Sequence, residues 1–217
     1  KELEWLRNDI KNSDKKLKVL LTHQPPYYTN PEGGNELIRE MLPPVVDELG
    51  IDLVFSGHDH AYGRTKKLRN GIEDKNGAVY IVTGTTGQKH YQAINDGSFE
   101  VYNDENTAIY TTLEYKDGEI RIIARKPDGT IVDDFSLDKK APEISISGVK
   151  DKGVHKNSKI KIKVSVNEEA EIVTTLNGEA YNGEEIVKSG KYELVVVATD
   201  NSGNKSTKTI KFTLKNS

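Results

Sequence analysis

Apolar residues along the chain change their spacing three times, and each change marks a structural boundary. In "KELEWLRNDIKNSDKK" Leu3, Leu6 and Ile10 fall at helical intervals, and Trp5 beside Leu6 widens the stripe, which predicts a helix over residues 2–12. "KLKVLLTHQPPYY" then packs Leu17 to Leu21 into a run too short for a helix and halted by Pro25 and Pro26. It reads as a buried strand ending at His23. From Asn35, "NELIREMLPPVVDELG" places apolar residues at 37, 38, 41, 42, 45, 46 and 49, an amphipathic helix capped by Asn35 and stopped by Gly50. Pro43 and Pro44 are expected to kink or restart it. "IDLVFSG" is a second short apolar strand, so helix and strand alternate as in a sheet with helices packed on it.

After residue 65 the period becomes that of strands. "AVYIVTGTTG" and "TAIYTTLEYKDGEIRIIARKPDGTIVDDFSL" are β-rich and broken by Asp-Gly at 117 and Pro-Asp-Gly at 127, both hairpin signals. "DKKAPE" at 138–143 reads as a linker, which divides the chain into residues 1–139 and 140–217. Beyond it "EISISGV", "KIKIKVSV", "AEIVTTLNG", "YELVVVATD" and "KTIKFTLK" alternate apolar and polar residues between turns, the pattern of a small all-β sandwich. The fold class expected is therefore α/β in the first part and all-β in the second.

Composition narrows the chemistry. A chain of 217 residues accommodates two domains, and 31 Lys and Arg against 34 Asp and Glu leave no basic field to hold nucleic acid. No apolar run is long enough to span a bilayer. With no cysteine, thiolate metal sites and disulfides are excluded, and His, Asp, Glu and Asn remain as metal ligands. The start, with a helix already running and no initiating Met, suggests a piece of something longer.

The candidate chemistry lies in "FSGHDHAYGRT". His58 and His60 are at i and i+2, so an extended backbone would project both rings to one side. They follow the end of a strand, as does His23, and open α/β sheets build their sites at the carboxyl ends of strands. Three imidazoles there suit Zn, Fe or Mn better than Ca or Mg. Other candidates are weaker. "GTTGQK" at 84–89 lacks phosphate-loop spacing and reads as a turn, and Asp200, Asn201 and Asn204 read as a hairpin loop. Glu32 is read as a solvated loop acid, and His90 and His155 as surface residues.

"GHDHAYGRT" resembles the last signature of calcineurin-like metallophosphoesterases, in their purple acid phosphatase-like branch. "VLLTHQPPYY" is similar to the signature before it, and "WLRNDI", "GIDLVFSG" and "AVYIVTGTTG" fit in order. The resemblance covers residues 1 to about 137. It implies a partial layered metallophosphoesterase sandwich that hydrolyses phosphomonoesters with two metal ions (Fe, Zn or Mn). His23 and His58 would ligate one metal and His60 the other, with Tyr62 and Arg64 supporting or packing around the ligands. The Asp-x-His, Gly-Asp and Gly-Asn-His signatures of that family are not in this sequence, and Asp52 and Asp59 lack the strand-end context to replace them. This chain alone is therefore expected to hold little or no metal and to be inactive. The expected partners are a phosphate-ester substrate and the missing amino-terminal part, with self-association through exposed sheet edges.

"LNGEAYNGEEIVKSGKYELVVVATDNSGN" resembles bacterial immunoglobulin-like domains, which implies an extracellular or wall-associated protein. Two other readings compete with the enzyme. One is a binding or spacer protein with an inactive phosphoesterase remnant, and the other is a single structural or adventitious metal on the three histidines.

Overall fold

The fold is that of a computed structural model, which describes residues 1–157 and 159–215. The chain divides into two compact units, Lys1–Lys139 and Lys140–Ser217.

The first unit opens with α1 (Glu2–Lys11), β1 (Val19–Thr22), α2 (Glu36–Leu49) and β2 (Leu53–Ser56). β3 (Tyr62–Thr65), the small hairpin of β4 (Leu68–Arg69) and β5 (Ile72–Glu73), β6 (Val79–Thr83) and β7 (Phe99–Asn103) follow. It closes with β8 (Tyr110–Lys116), β9 (Glu119–Arg125) and β10 (Ile131–Asp138). α2 begins where Asn35 accepts the Ile38 N–H and ends at Gly50, whose φ of 59° only glycine adopts without strain. The helix runs through Pro43 and Pro44 without a restart. The two prolines remove N–H groups that would pair with the carbonyls of Arg39 and Glu40. Glu40 lies on the exposed side, open to solvent, and Pro43 on the buried face.

A five-stranded sheet in the order β1-β2-β6-β3-β7 forms the middle layer, with β1, β2 and β6 parallel and β3 antiparallel to both its neighbours. Side-chain alternation gives this sheet two apolar faces. Val54 and Tyr80 pack with Leu6, Leu42, Val45, Val46 and Leu49 of the helices. Leu53, Val79 and Ile81 pack instead with Ile120, Ile122, Ala124 and Leu137 of the second sheet, ordered β10-β9-β8. The layers are thus helix, mixed sheet, antiparallel sheet. The hairpin signal at 117 holds: Asp117 and Gly118 have φ of 51° and 94° between paired Lys116 and Glu119. Among the described residues no helix is long and apolar enough to cross a membrane.

The second unit is all β. Its strands are β11 (Ile144–Ser147), β12 (Val154–His155), β13 (Lys163–Val166), β14 (Ala170–Leu176), β15 (Glu179–Ala180), β16 (Gly190–Asp200) and β17 (Lys205–Leu214). A five-stranded sheet, β12-β17-β16-β14-β15, and a two-stranded sheet, β11-β13, share one core that includes Leu194, Val196, Ala198, Ile210 and Phe212. The stretch at 190–200 is a single strand burying every second residue from Leu194 to Asp200. In the turn after it both carboxylate oxygens of Asp200 are used within the hairpin, accepting from the backbone and side-chain N–H groups of Asn204. His155 is not a surface residue: it is half-buried, with its ring edge-to-face against Phe212, centroids 6.0 Å apart.

Candidate metal centre

Because β1, β2 and β6 are parallel, the segments that leave them all emerge at one edge of the sheet. His23 follows β1, Gly57 to His60 follow β2, and Gly84 to Tyr91 follow β6. Two bonds fix their starting points: Gly57 N–H donates to the His23 carbonyl at 3.1 Å, and the Thr83 hydroxyl donates to the Ser56 carbonyl at 3.1 Å.

His23 and His58, 35 positions apart, meet here. Nδ1 of His58 lies 3.2 Å from Nε2 of His23, with ring centroids 5.2 Å apart and planes at 83°. Without a cation, one of these nitrogens carries a proton and gives it to the other. Two imidazole nitrogens on one tetrahedral cation at ~2.0–2.1 Å lie about 3.3 Å apart, so the separation already suits a shared metal. His60 stands apart from this pair. Among the described residues its nitrogens do not join those of His23 and His58 in a three-donor cluster. Its Nδ1 is 3.0 Å from the Lys89 carbonyl, which can only accept, so the neutral ring keeps its proton there and presents a lone pair at Nε2. The Tyr91 ring lies against it, centroids 5.3 Å apart.

The extended backbone expected for His58 to His60 is not what forms. Both residues are left-handed, with φ of 69° and 53°. Asp59 N–H donates to the Gly57 carbonyl at 2.8 Å, closing a three-residue turn around His58. A left-handed backbone costs a residue with a Cβ roughly 1–2 kcal/mol, so the surroundings must hold it. Asp59 sits between the two histidines. It is fully buried, and its Oδ2 accepts from Thr29 N–H at 2.5 Å, the Thr29 hydroxyl at 3.2 Å and Asn30 N–H at 3.1 Å. Burial pushes its carboxyl pKa up, against the lowering effect of those three donors. Its Oδ1 has no partner. The Thr29 carbonyl in turn accepts from Ile94 N–H at 2.8 Å, which ties in the segment after β6.

Tyr62 and Arg64 do not face these imidazoles with their polar atoms. The Tyr62 hydroxyl donates to Asp133 at 2.7 Å. Arg64 donates to the same carboxylate through Nε at 2.6 Å and Nη2 at 3.2 Å, and to Glu100 through Nη1 at 2.6 Å. Its guanidinium lies 4.5 Å from the Phe135 ring centre. Burial first, then Asp133, drives the Tyr62 pKa far above the ordinary phenol range.

The acids weighed as replacements are engaged elsewhere. Asp52 accepts from Lys18 N–H at 2.9 Å and pairs with Lys139 at 2.7 Å, at the opposite end of β2. Glu32 is exposed. His90 is half-buried rather than a surface group, with its Nδ1 enclosed and unpartnered. The residues present therefore fit the imidazole part of a metal centre and supply none of its carboxylates.

Sequence reasoning missed Asp133, Thr29 and the Lys89 carbonyl. Asp133 carried a signal, since it shares the inward register of "IVDDFSL" with Leu137. The other two did not, because a backbone carbonyl and a threonine carry no chemical signature.

Known proteins resemble the first part of this chain. Residues 1–62 match the family model for calcineurin-like phosphoesterases. Among curated relatives, purple acid phosphatase 18 of Arabidopsis thaliana is 30% identical over 130 residues, which cover 56% of this chain and 28% of the relative. Purple acid phosphatase 22 of the same plant is 35% identical over 99 residues, 43% of this chain and 23% of that protein. The chain spans less than a third of the length of the curated relatives it matches. A purple acid phosphatase from yellow lupin seeds superposes with a TM-score of 0.54 at 20% identity, over 61% of this chain and 27% of that one, which is a likeness of fold. The amino-terminal part of the chain is thus phosphoesterase-like, with purple acid phosphatases as its homologues.

Proposed function

We propose that residues 1–139 are the carboxyl-terminal portion of a metal-dependent phosphomonoesterase of the purple acid phosphatase type. The observation that carries this reading is the pair of facing imidazole nitrogens of His23 and His58, 3.2 Å apart at the carboxyl ends of adjacent parallel strands. His23 and His58 would hold one metal ion, Fe, Zn or Mn, and His60 Nε2 a second. Such a pair, when bound, supplies Lewis acidity toward a phosphate ester. This chain's own part is to present three lone pairs in fixed directions. The Lys89 carbonyl fixes the His60 tautomer, as partners of metal-binding histidines commonly do.

Two cations side by side repel unless carboxylates bridge them, and among the described residues no carboxylate joins these histidines in a three-donor cluster. The centre therefore needs a carboxylate-bearing complement from the same domain. The outer edge of β1 is unpaired, and Leu21 on it is 77% exposed beside Trp5. A further strand carrying those ligands adds there, next to His23. Without it, the bare edge takes a second copy of the chain.

The second unit reads as an immunoglobulin-like spacer, which supports an extracellular or wall-associated setting. The alternative reading is a binding or spacer protein with an inactive phosphoesterase remnant. That no carboxylate among the described residues gathers with these histidines in a three-donor cluster favours it for this chain taken alone.

Hydrolysis of p-nitrophenyl phosphate tests the proposal. Residues 1–217 with added Zn2+, Fe3+ or Mn2+ should be inactive. The chain joined to an amino-terminal part bearing Asp-x-His, Gly-Asp and Gly-Asn-His should be active, and His58→Ala should abolish most of that activity. Tight stoichiometric binding of two metals by residues 1–217 alone would refute it.

A further inference from the structure

We propose that Asp59 is a positioning residue that locks the segment after β1 onto the turn after β2, and so sets the His23–His58 pair in ligating geometry. The inference rests on the reading of those two histidines as a shared ligand pair.

Three observations converge on it. His58 has a left-handed backbone at the centre of a three-residue turn, a shape that does not persist unless its surroundings impose it. The side chain that follows it directly is a fully buried carboxylate, although buried acids are rare unless paired. Among the described residues no lysine or arginine pairs with that carboxylate. It is held by three N–H and O–H donors, all from Thr29 and Asn30, 30 and 29 positions earlier in the chain.

These contacts close a loop in space. His23 leads through the two prolines and Tyr27 to Thr29. Thr29 is bound by Asp59, and Asp59 adjoins His58, whose ring returns to His23. The same loop then packs over the second nitrogen of His58: a Cβ on Gly33 would stand 3.6 Å from its Nε2. Thr29 is itself fully buried, and its carbonyl takes the Ile94 N–H from the third segment. Asp59 thus joins the strand-end segments at one buried point. Hydrogen bonds to backbone N–H groups give the carboxylate direction without bringing a competing positive charge to the site.

The test uses the full chain, labelled with 15N, and reads the imidazole rings by long-range 1H–15N spectra and ring-to-ring NOEs, followed by titration with Co2+. Wild type should show the His23–His58 ring contact. Asp59→Ala should lose it and bind Co2+ about 10–100-fold more weakly, the usual loss when a partner of a metal ligand is removed. Asp59→Asn keeps an oxygen acceptor in the same place and should recover most of both. An Asp59→Ala protein that stays folded by circular dichroism, with ring contact and Co2+ affinity unchanged, overturns the proposal. Where Asp59→Ala fails to fold, Thr29→Val removes one of the three bonds. It should weaken the ring contact, and an unchanged contact overturns the proposal equally. The ring contact needs no metal, so it decides the role of Asp59 even if Co2+ fails to bind wild type, the outcome that follows where the centre needs carboxylates from outside this chain.

Discussion

Removing the Asp133 carboxylate should be among the most damaging single changes in the first unit. Arg64 and Asp133 are 6% and 7% exposed, and the carboxylate receives three donors: Arg64 Nε, Arg64 Nη2 and the Tyr62 hydroxyl. Asp133→Ala leaves a buried guanidinium with one remaining partner, Glu100, whose side chain is 56% exposed and contributes little through a solvent-screened contact. Breaking a buried ion pair from one side costs about 3–5 kcal/mol, and the stranded Tyr62 hydroxyl lies within that sum because its loss is part of the same network. Domains have roughly 5–15 kcal/mol in total. For a unit of 139 residues each kcal/mol moves the midpoint by about 3–4 °C, so a fall of roughly 10–20 °C is expected. Thermal and urea unfolding followed through amide signals of β9 and β10 would measure it. The sharper arm is the triple variant Tyr62→Phe, Arg64→Met, Asp133→Leu, which removes the three buried members of the network, leaves only the solvent-exposed Glu100, and should lie close to wild type. An Asp133→Ala cost below about 1 kcal/mol, or a triple variant no better than Asp133→Ala, would refute the claim that an uncompensated buried charge is the cause.

Gly63→Ala should destabilise the first unit by about 1–3 kcal/mol, as overpacking does, because the new methyl would stand 2.5 Å from Thr29 Cγ2 and 2.8 Å from the Phe99 ring. Denaturant midpoints settle it, and an unchanged midpoint would mean that Thr29 moves without cost. Tyr62 and Tyr80 have phenol pKa values raised chiefly by burial, so their contribution to stability is complete below the ordinary phenol range and is lost as pH rises through and beyond it. In an alkaline titration at 295 nm their ionisation should arrive only with unfolding, whereas a smooth early titration of all 10 tyrosines would contradict this. Leu21→Lys places a charge on the bare edge of β1 and should shift any dimers seen by sedimentation to monomers. Wild type that is monomeric at every concentration would dismiss self-association through that edge.

Much of the fold was legible because local signals and tertiary packing agree. Asn35 and Gly50 bound α2 as cap and stop, the two turns after β8 and β9 carry Asp-Gly, and the alternation from Gly190 to Asp200 survives as one strand. Pro43 and Pro44 do not end α2, and Pro43 takes a buried position within it. The site was legible in its residue types but not in its shape. A His-x-His after a strand has the period of a strand, and nothing in its spacing reveals that both histidines turn left-handed. What enforces that turn is bonded to it from Thr29 and Asn30, too far along the chain for any local pattern to show.

The segment from Gly57 to Arg64 divides its work between two ends of a few residues. Its first half lies at the sheet edge and presents imidazoles from a strained turn. Its second half enters β3, where Tyr62 and Arg64 are fastened to Asp133 on β10 in the next layer. A strained turn needs a fixed point on either side, or it relaxes at the expense of its geometry. On one side the fixed point is Gly57, bonded to the His23 carbonyl, and on the other it is the buried ion pair two to four residues past His60. Asp59 holds the middle. A charge buried at Arg64 is therefore better understood through the rigidity it gives the turn than through net stability, since a well-packed apolar set would serve stability equally well. The triple variant should accordingly separate the two: stability near wild type, with the His23–His58 ring contact loosened.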